Sequence, residues 1–103
     1  QRIVRAKTRI RDSLIPYGLD ATVLHLPGHS PGSIAILTAQ GDLICGDLLA
    51  LRRATAVPFP LREDAAAMRS SIRRLLALPT PPRMIYPGHG KPFTWEMLRE
   101  IHL

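Results

Sequence analysis

Three short stretches of this 103-residue chain each set a side chain able to hold a metal ion beside glycine, directly after an apolar run. They are Leu26-Pro27-Gly28-His29-Ser30-Pro31-Gly32-Ser33, Ile44-Cys45-Gly46-Asp47 and Tyr86-Pro87-Gly88-His89-Gly90. Glycine lets the backbone turn with positive φ and leaves room beside a bulky group, while proline stiffens the approach and so reduces the entropy lost on coordination. Imidazole nitrogen and carboxylate oxygen are donors that zinc accepts, and each ligating histidine is expected to give its second nitrogen to a fixed acceptor. His29, Asp47 and His89 are therefore the candidate metal ligands. Asp47 has a second reading as a turn carboxylate bonded to its own backbone. Ser30 and Ser33 lack the His-Asp partner pattern of a serine nucleophile and read as hydrogen-bonding groups within their loop. Cys45 has nothing nearby to lower its pKa and reads as a small buried hydrophobe.

The elements that must position these groups can be read from periodicity and punctuation. Ala21 to Leu26 is a strand by its β-branched and apolar content between turn formers. Ser33 to Thr38 is a second strand, Gln40-Gly41-Asp42 a tight turn, and Leu43 to Cys45 a third strand antiparallel to the second. Ala50 to Pro60 reads as an irregular loop because two prolines flank Phe59. Leu61 to Leu78 reads as one amphipathic helix, with Leu61, Ala65, Met68, Ile72, Leu75 and Leu76 inward and Arg62, Arg69, Arg73 and Arg74 outward. Glu63 and Asp64 fall in its first turn and the last two arginines near its end, which suits the helix dipole, and Pro79 stops it. Arg83 to Tyr86 is a short strand, and Thr94 an N-cap for a final helix carrying Trp95, Leu98 and Ile101.

Composition limits the function classes. Fourteen Lys+Arg against eight Asp+Glu give a formal charge of +6, and 46% of residues are hydrophobic, which suits one soluble domain. No apolar run reaches the eighteen or so residues of a membrane span, and the basic opening is not followed by a secretory signal, so no membrane association is expected. Residue 1 is Gln, and the beginning reads as cut, at a cloning boundary or in a partial gene. One cysteine cannot form an internal disulfide, which points to a reducing, cytoplasmic setting. Twelve of the basic residues are Arg spread along the whole chain. Nucleic-acid binding, which needs them clustered on one face, is a low-weight alternative. Residues 1–18 form a basic arm or partial element and 19–103 the domain proper.

In their order and spacing the three glycine-containing segments resemble the C-terminal half of the metallo-β-lactamase-fold hydrolases, from about Leu24 to Phe93, roughly two thirds of the chain. Pro27 to Ser33, Gly46-Asp47 and Pro87 to Gly90 are similar to the third, fourth and fifth metal-binding motifs of that superfamily. The resemblance implies that His29 is a ligand of the first metal, Asp47 the carboxylate bridging both, and His89 a ligand of the second. It implies zinc as cofactor, with iron and manganese open, and hydrolysis of a small-molecule ester, thioester, β-lactam or phosphodiester. The fold it implies is α/β (α+β): half of an αββα sandwich, a mixed, mostly antiparallel sheet with covering helices.

The family's earlier His-x-His-x-Asp-His motif occurs nowhere in the chain. His25, in mid-strand, reads as a core or hydrogen-bonded residue and His102 as a surface one, so neither restores it. Catalytic and substrate-binding residues stay unassigned. Arg52, Arg53 and Lys91 follow two of the motifs and read as exposed charge before they read as contacts for an anionic substrate. Three outcomes remain: His29, Asp47 and His89 collect a single metal as a two-His, one-carboxylate face; a second chain or a missing N-terminal half completes a two-metal centre; or the chain is a non-catalytic oligomeric domain retaining the ancestral scaffold. Half of a sandwich leaves an apolar sheet face to be covered, so a homodimer or higher oligomer is expected, and N-terminal arm exchange is one route to it. Size-exclusion chromatography with light scattering is expected to show that association; a well-behaved monomer would contradict it.

Overall fold

The alternation of core-facing and outward residues builds a six-stranded sheet, and the computed structural model describes it over residues 11–13 and 20–103. Apart from 11–13, the basic arm expected over 1–18 lies outside the described residues. The strands are β1 (Arg11–Ser13), β2 (Ala21–His25), β3 (Ile34–Thr38), β4 (Asp42–Gly46), β7 (Met84–Pro87) and β8 (Phe93–Thr94), in that spatial order. A separate hairpin pairs β5 (Leu49–Arg52) with β6 (Thr55–Pro58), and the helices are α1 (Ala65–Leu76) and α2 (Trp95–Arg99).

Period-two patterning gives the sheet two faces. Leu37, Leu43, Ile85 and Phe93 occupy one register row and face the core, as do Leu24 and Cys45. Met68, Ile72 and Leu75 of α1, Leu98 of α2, and Leu48, Leu49 and Ala56 at the hairpin complete that core. Met68, Ile72 and Leu75 are essentially inaccessible, and burying side chains of this kind stabilises the fold by about 1.5–3 kcal/mol each. Cys45 is buried as expected, and desolvation pushes its thiol up to about 12. The opposite face carries the row Val23, Ile36, Ile44 and Tyr86, in which Ile44 is 48% and Tyr86 38% exposed. One sheet with helices on one face and an apolar second face is half of the αββα layering.

The β3–β4 hairpin matches its expectation. Gly41 sits at φ 94°, and Asp42 N–H donates to Thr38 Oγ1 at 3.0 Å. Pairing of β4 with β7 is parallel, so the ends of both strands emerge at the same edge of the sheet. Among the described residues no helix is long and apolar enough to cross a membrane.

Two expectations need correction. The segment Ala50 to Pro60 is a β-hairpin, because Leu49 to Arg52 pairs residue for residue with Thr55 to Pro58. Its turn residues, Arg53 (φ 52°) and Ala54 (φ 63°), carry none of the Gly or Asn content that marks such turns. The helix begins at Ala65, four residues after Leu61. Glu63 N–H and Asp64 N–H donate to His29 O and Gly28 O, which holds the preceding residues against another loop, and Leu61 is 70% exposed. Asp64 is then the N-cap, its carboxylate accepting from Ala67 N–H at 2.9 Å. Thr94 caps α2 as expected, accepting from Met97 N–H, although α2 ends before Ile101.

Left-handed backbone at a non-glycine residue costs about 1–2 kcal/mol. Replacing Arg53-Ala54 by Asn-Gly is therefore expected to stabilise the chain by about 1 kcal/mol, after part of the relief is offset by a freer unfolded state. Thermal unfolding followed by circular dichroism would show a raised midpoint; a lowered one would mean that the turn's side chains make contacts worth more than the strain.

Candidate metal centre

His29 lies in the loop between β2 and β3, Asp47 just past β4, and His89 just past β7. The parallel pair brings the last two together: Gly88 N–H donates to Gly46 O at 2.9 Å, knitting the two strand exits. Glycine at 88 leaves room for the acid: a Cβ there would stand 2.7 Å from Asp47 Oδ1 and displace it.

The His29 loop is fastened from two sides. Inside it, Ser30 Oγ and Ser33 Oγ lie 2.9 Å apart, and Ser30 N–H donates to Ser33 Oγ, the hydrogen-bonding role expected of both serines. His25 Nε2 reaches Pro31 O at 2.9 Å, so it is the hydrogen-bonded histidine expected. From the other side α1 presses on the loop. The buried Ser71 donates to Pro27 O at 2.6 Å, and a Cβ at Gly28 would stand 2.6 Å from Met68 Cα, so only glycine fits beneath the helix.

These supports bring the three predicted ligands together. His29 Nε2 is 3.6 Å from Asp47 Oδ2, and His89 Nδ1 is 2.9 Å from Asp47 Oδ1. His29 Nδ1 sits 2.6 Å from Leu61 O, a carbonyl that can only accept. The proton is therefore on Nδ1, and the Nε2 lone pair is left facing Asp47. In the same way a carboxylate partner places the proton of His89 on Nδ1 and leaves its Nε2 as the free donor. Two ligands each about 2.0–2.1 Å from one tetrahedral ion stand about 3.4 Å apart. The 3.6 Å edge between His29 and Asp47 fits that span. Among the described residues no three His, Cys, Asp or Glu side chains are arranged to hold an ion together, and His89 turns Nδ1 toward Asp47. The chain thus presents a two-donor edge with a third imidazole hydrogen-bonded beside it.

Arg52, Arg53 and Lys91 are exposed, as is His102. The sequence reading missed Phe59, whose ring lies against both His29 and His89, and the Leu61 carbonyl. The Pro-Phe-Pro context was a usable signal for the first, whereas a carbonyl leaves no mark in a sequence.

No family model matches the chain. It is 34% identical over 95 residues to "Probable metallo-hydrolase YqjP" of Bacillus subtilis, a match covering 82% of this chain and 29% of that protein. It is 33% identical over 73 residues to "Beta-lactamase-like protein 2 homolog" of Drosophila melanogaster, covering 71% of this chain and 23% of the relative. The chain therefore spans less than a third of the length of these curated relatives. Among solved structures, TTHA1623 in a di-iron-bound form superposes with TM-score 0.62 at 37% identity, over 79% of this chain and 40% of that one. ST1585 from Sulfolobus tokodaii, an archaeal metallo-β-lactamase superfamily protein, superposes with TM-score 0.61 at 20% identity, over 78% and 32%, a likeness of fold.

Gly88→Ala is expected to push the Asp47 carboxylate aside and release His89 Nδ1, with a stability loss below about 1 kcal/mol because the pair is open to solvent. Nitrogen-15 spectra of the imidazoles would report the change at His89. Gly32→Ala, where a Cβ meets nothing within 4 Å, is the control and should leave them untouched.

Proposed function

The chain belongs to the metallo-β-lactamase superfamily, and from that premise we propose that it contributes one ligand-bearing half of a metal-dependent hydrolytic centre. The observation that carries this reading is the meeting of His29, Asp47 and His89, from three separate loops, with Nε2 of each histidine left as a donor. His29 and Asp47 would hold the ion at their shared edge, with the His89 imidazole beside it. Zinc suits the imidazole and carboxylate donors, and iron suits them too, in keeping with the di-iron form of a structural neighbour. When bound, such an ion polarises the scissile bond and activates water for attack on a carbonyl or phosphorus centre.

The protein's own part is positional. Leu61 O holds His29 in the tautomer that offers Nε2, and Asp47 divides its oxygens between His89 and the edge facing His29. The remaining ligands would come from a second β-layer seated on the Ile36, Ile44 and Tyr86 face, either the N-terminal half of the same fold or a second copy of this chain. The share of the relatives' length left unmatched supports the first.

The runner-up is a non-catalytic oligomeric domain that keeps the scaffold. It is favoured by the lack, among the described residues, of any three-ligand group.

Metal analysis of chain purified without chelators separates the two readings. Zinc or iron is expected to be retained in the unmutated chain and lost in His29→Ala and Asp47→Ala. Retention no greater than that of Asp47→Ala, both alone and with the His-x-His-x-Asp-His half supplied, would remove the hydrolase reading and leave the scaffold. Supplying a polypeptide that carries the His-x-His-x-Asp-His half is expected to raise metal content and bring ester hydrolysis with it.

A further inference from the structure

Histidine χ2 is a broad torsion, so an imidazole on a loop must be fixed both in which way round it sits and in the plane it adopts. Hydrogen bonds at Nδ1 settle the first for His29 and His89. They leave the ring plane free to rock about the bond axis. One side chain addresses the plane of both rings. The Phe59 ring centroid is 5.6 Å from that of His29 at an interplanar angle of 83°, an edge contact, and 5.7 Å from that of His89 at 24°, a stack. Both separations lie within the range at which aromatic pairs attract.

Phe59 is itself held in place. Pro60 restricts it to extended backbone. Its N–H donates to Leu48 O at 3.0 Å, and its carbonyl accepts from Arg62 Nη1 at 3.0 Å. Leu61, two residues on, supplies the carbonyl that orients His29, and Glu63 N–H and Asp64 N–H tie the same segment to His29 O and Gly28 O. The stretch from Phe59 to Asp64 is thus bonded at successive points to the loop it serves.

We propose that Phe59 is a positioning residue that sets the ring planes of His29 and His89 together, with Arg62 as its backbone tether. As a statement about metal affinity it rests on the reading given under Proposed function; as a statement about ring orientation it stands in the metal-free chain. Because one phenyl touches both imidazoles, the two ring planes are coupled to each other through it.

Proton–carbon-13 spectra of the metal-free chain, with the four histidines assigned by single His→Gln variants, provide the test. The Phe59 ring current is expected to displace the His89 ring protons upfield, and Phe59→Leu to move both His29 and His89 signals while those of His25 and His102 stay. Phe59→Tyr should restore the original pattern. Arg62→Gln, at an exposed residue, should move the same two histidines by less, and it keeps the test decisive if Phe59→Leu does not fold. Unmoved His29 and His89 signals in these variants would overturn the proposal. Cobalt(II) titration supplies the second readout: Phe59→Leu is expected to weaken binding roughly 2- to 10-fold and Phe59→Tyr to recover it, whereas equal affinity in Phe59→Leu would overturn the role toward metal. An unmutated chain that takes up no cobalt, alone or with the His-x-His-x-Asp-His half supplied, defeats the hydrolase reading, and the ring signals then decide the Phe59 proposal alone.

Discussion

Parallel pairing of β4 with β7 is the constraint on which the site depends. Two strands running the same way must deliver their exits to the same sheet edge, and only there can Asp47 and His89 meet, since they are far apart in sequence. The register shift between Ile44 and Gly46, with Gly46 at φ 55°, turns the chain off the sheet just before Asp47. A crossover containing α1 is what parallel neighbours demand, and the same helix then covers the core and presses on the His29 loop. The topology that closes the core and the one that gathers His29, Asp47 and His89 are therefore the same.

Much of the local support is backbone chemistry. Leu61 O on His29, Gly28 O and His29 O on the residues leading into α1, and Gly46 O on Gly88 are all main-chain acceptors. A main-chain carbonyl survives substitution at its own residue, unlike a side-chain acceptor. The exceptions are Gly28 and Gly88, where neighbouring atoms occupy the space a Cβ would need, Phe59, and the His25, Ser30, Ser33 and Ser71 side chains that fasten the His29 loop.

What could be read from the sequence followed from local rules. The β3–β4 hairpin carries its glycine, α2 carries its capping threonine, and the glycine-flanked His29, Asp47 and His89 sit where strands run out, so turn chemistry exposed the placement of all of them. The failures came where tertiary contacts override local preference. Leu61 fits the helical period, yet its segment is spent on hydrogen bonds to the His29 loop, and the helix waits for Asp64. The β5–β6 hairpin was hidden because Arg53 and Ala54 occupy a left-handed turn that ordinarily calls for Asn or Gly. Phe59 was visible only as a residue between prolines; that its ring meets two histidines from other loops depends on the finished packing.

Ile44 and Tyr86 stand side by side on β4 and β7, the two strands that end in Asp47 and His89. Anything that rests on that pair bears on the rods whose tips carry the acid and the imidazole. Thermodynamic reciprocity then applies: if loading the tips changes how firmly the face is gripped, gripping the face changes the loading by the same factor. Assembly and ion capture would behave as a single linked equilibrium, each concentration acting as a control on the other.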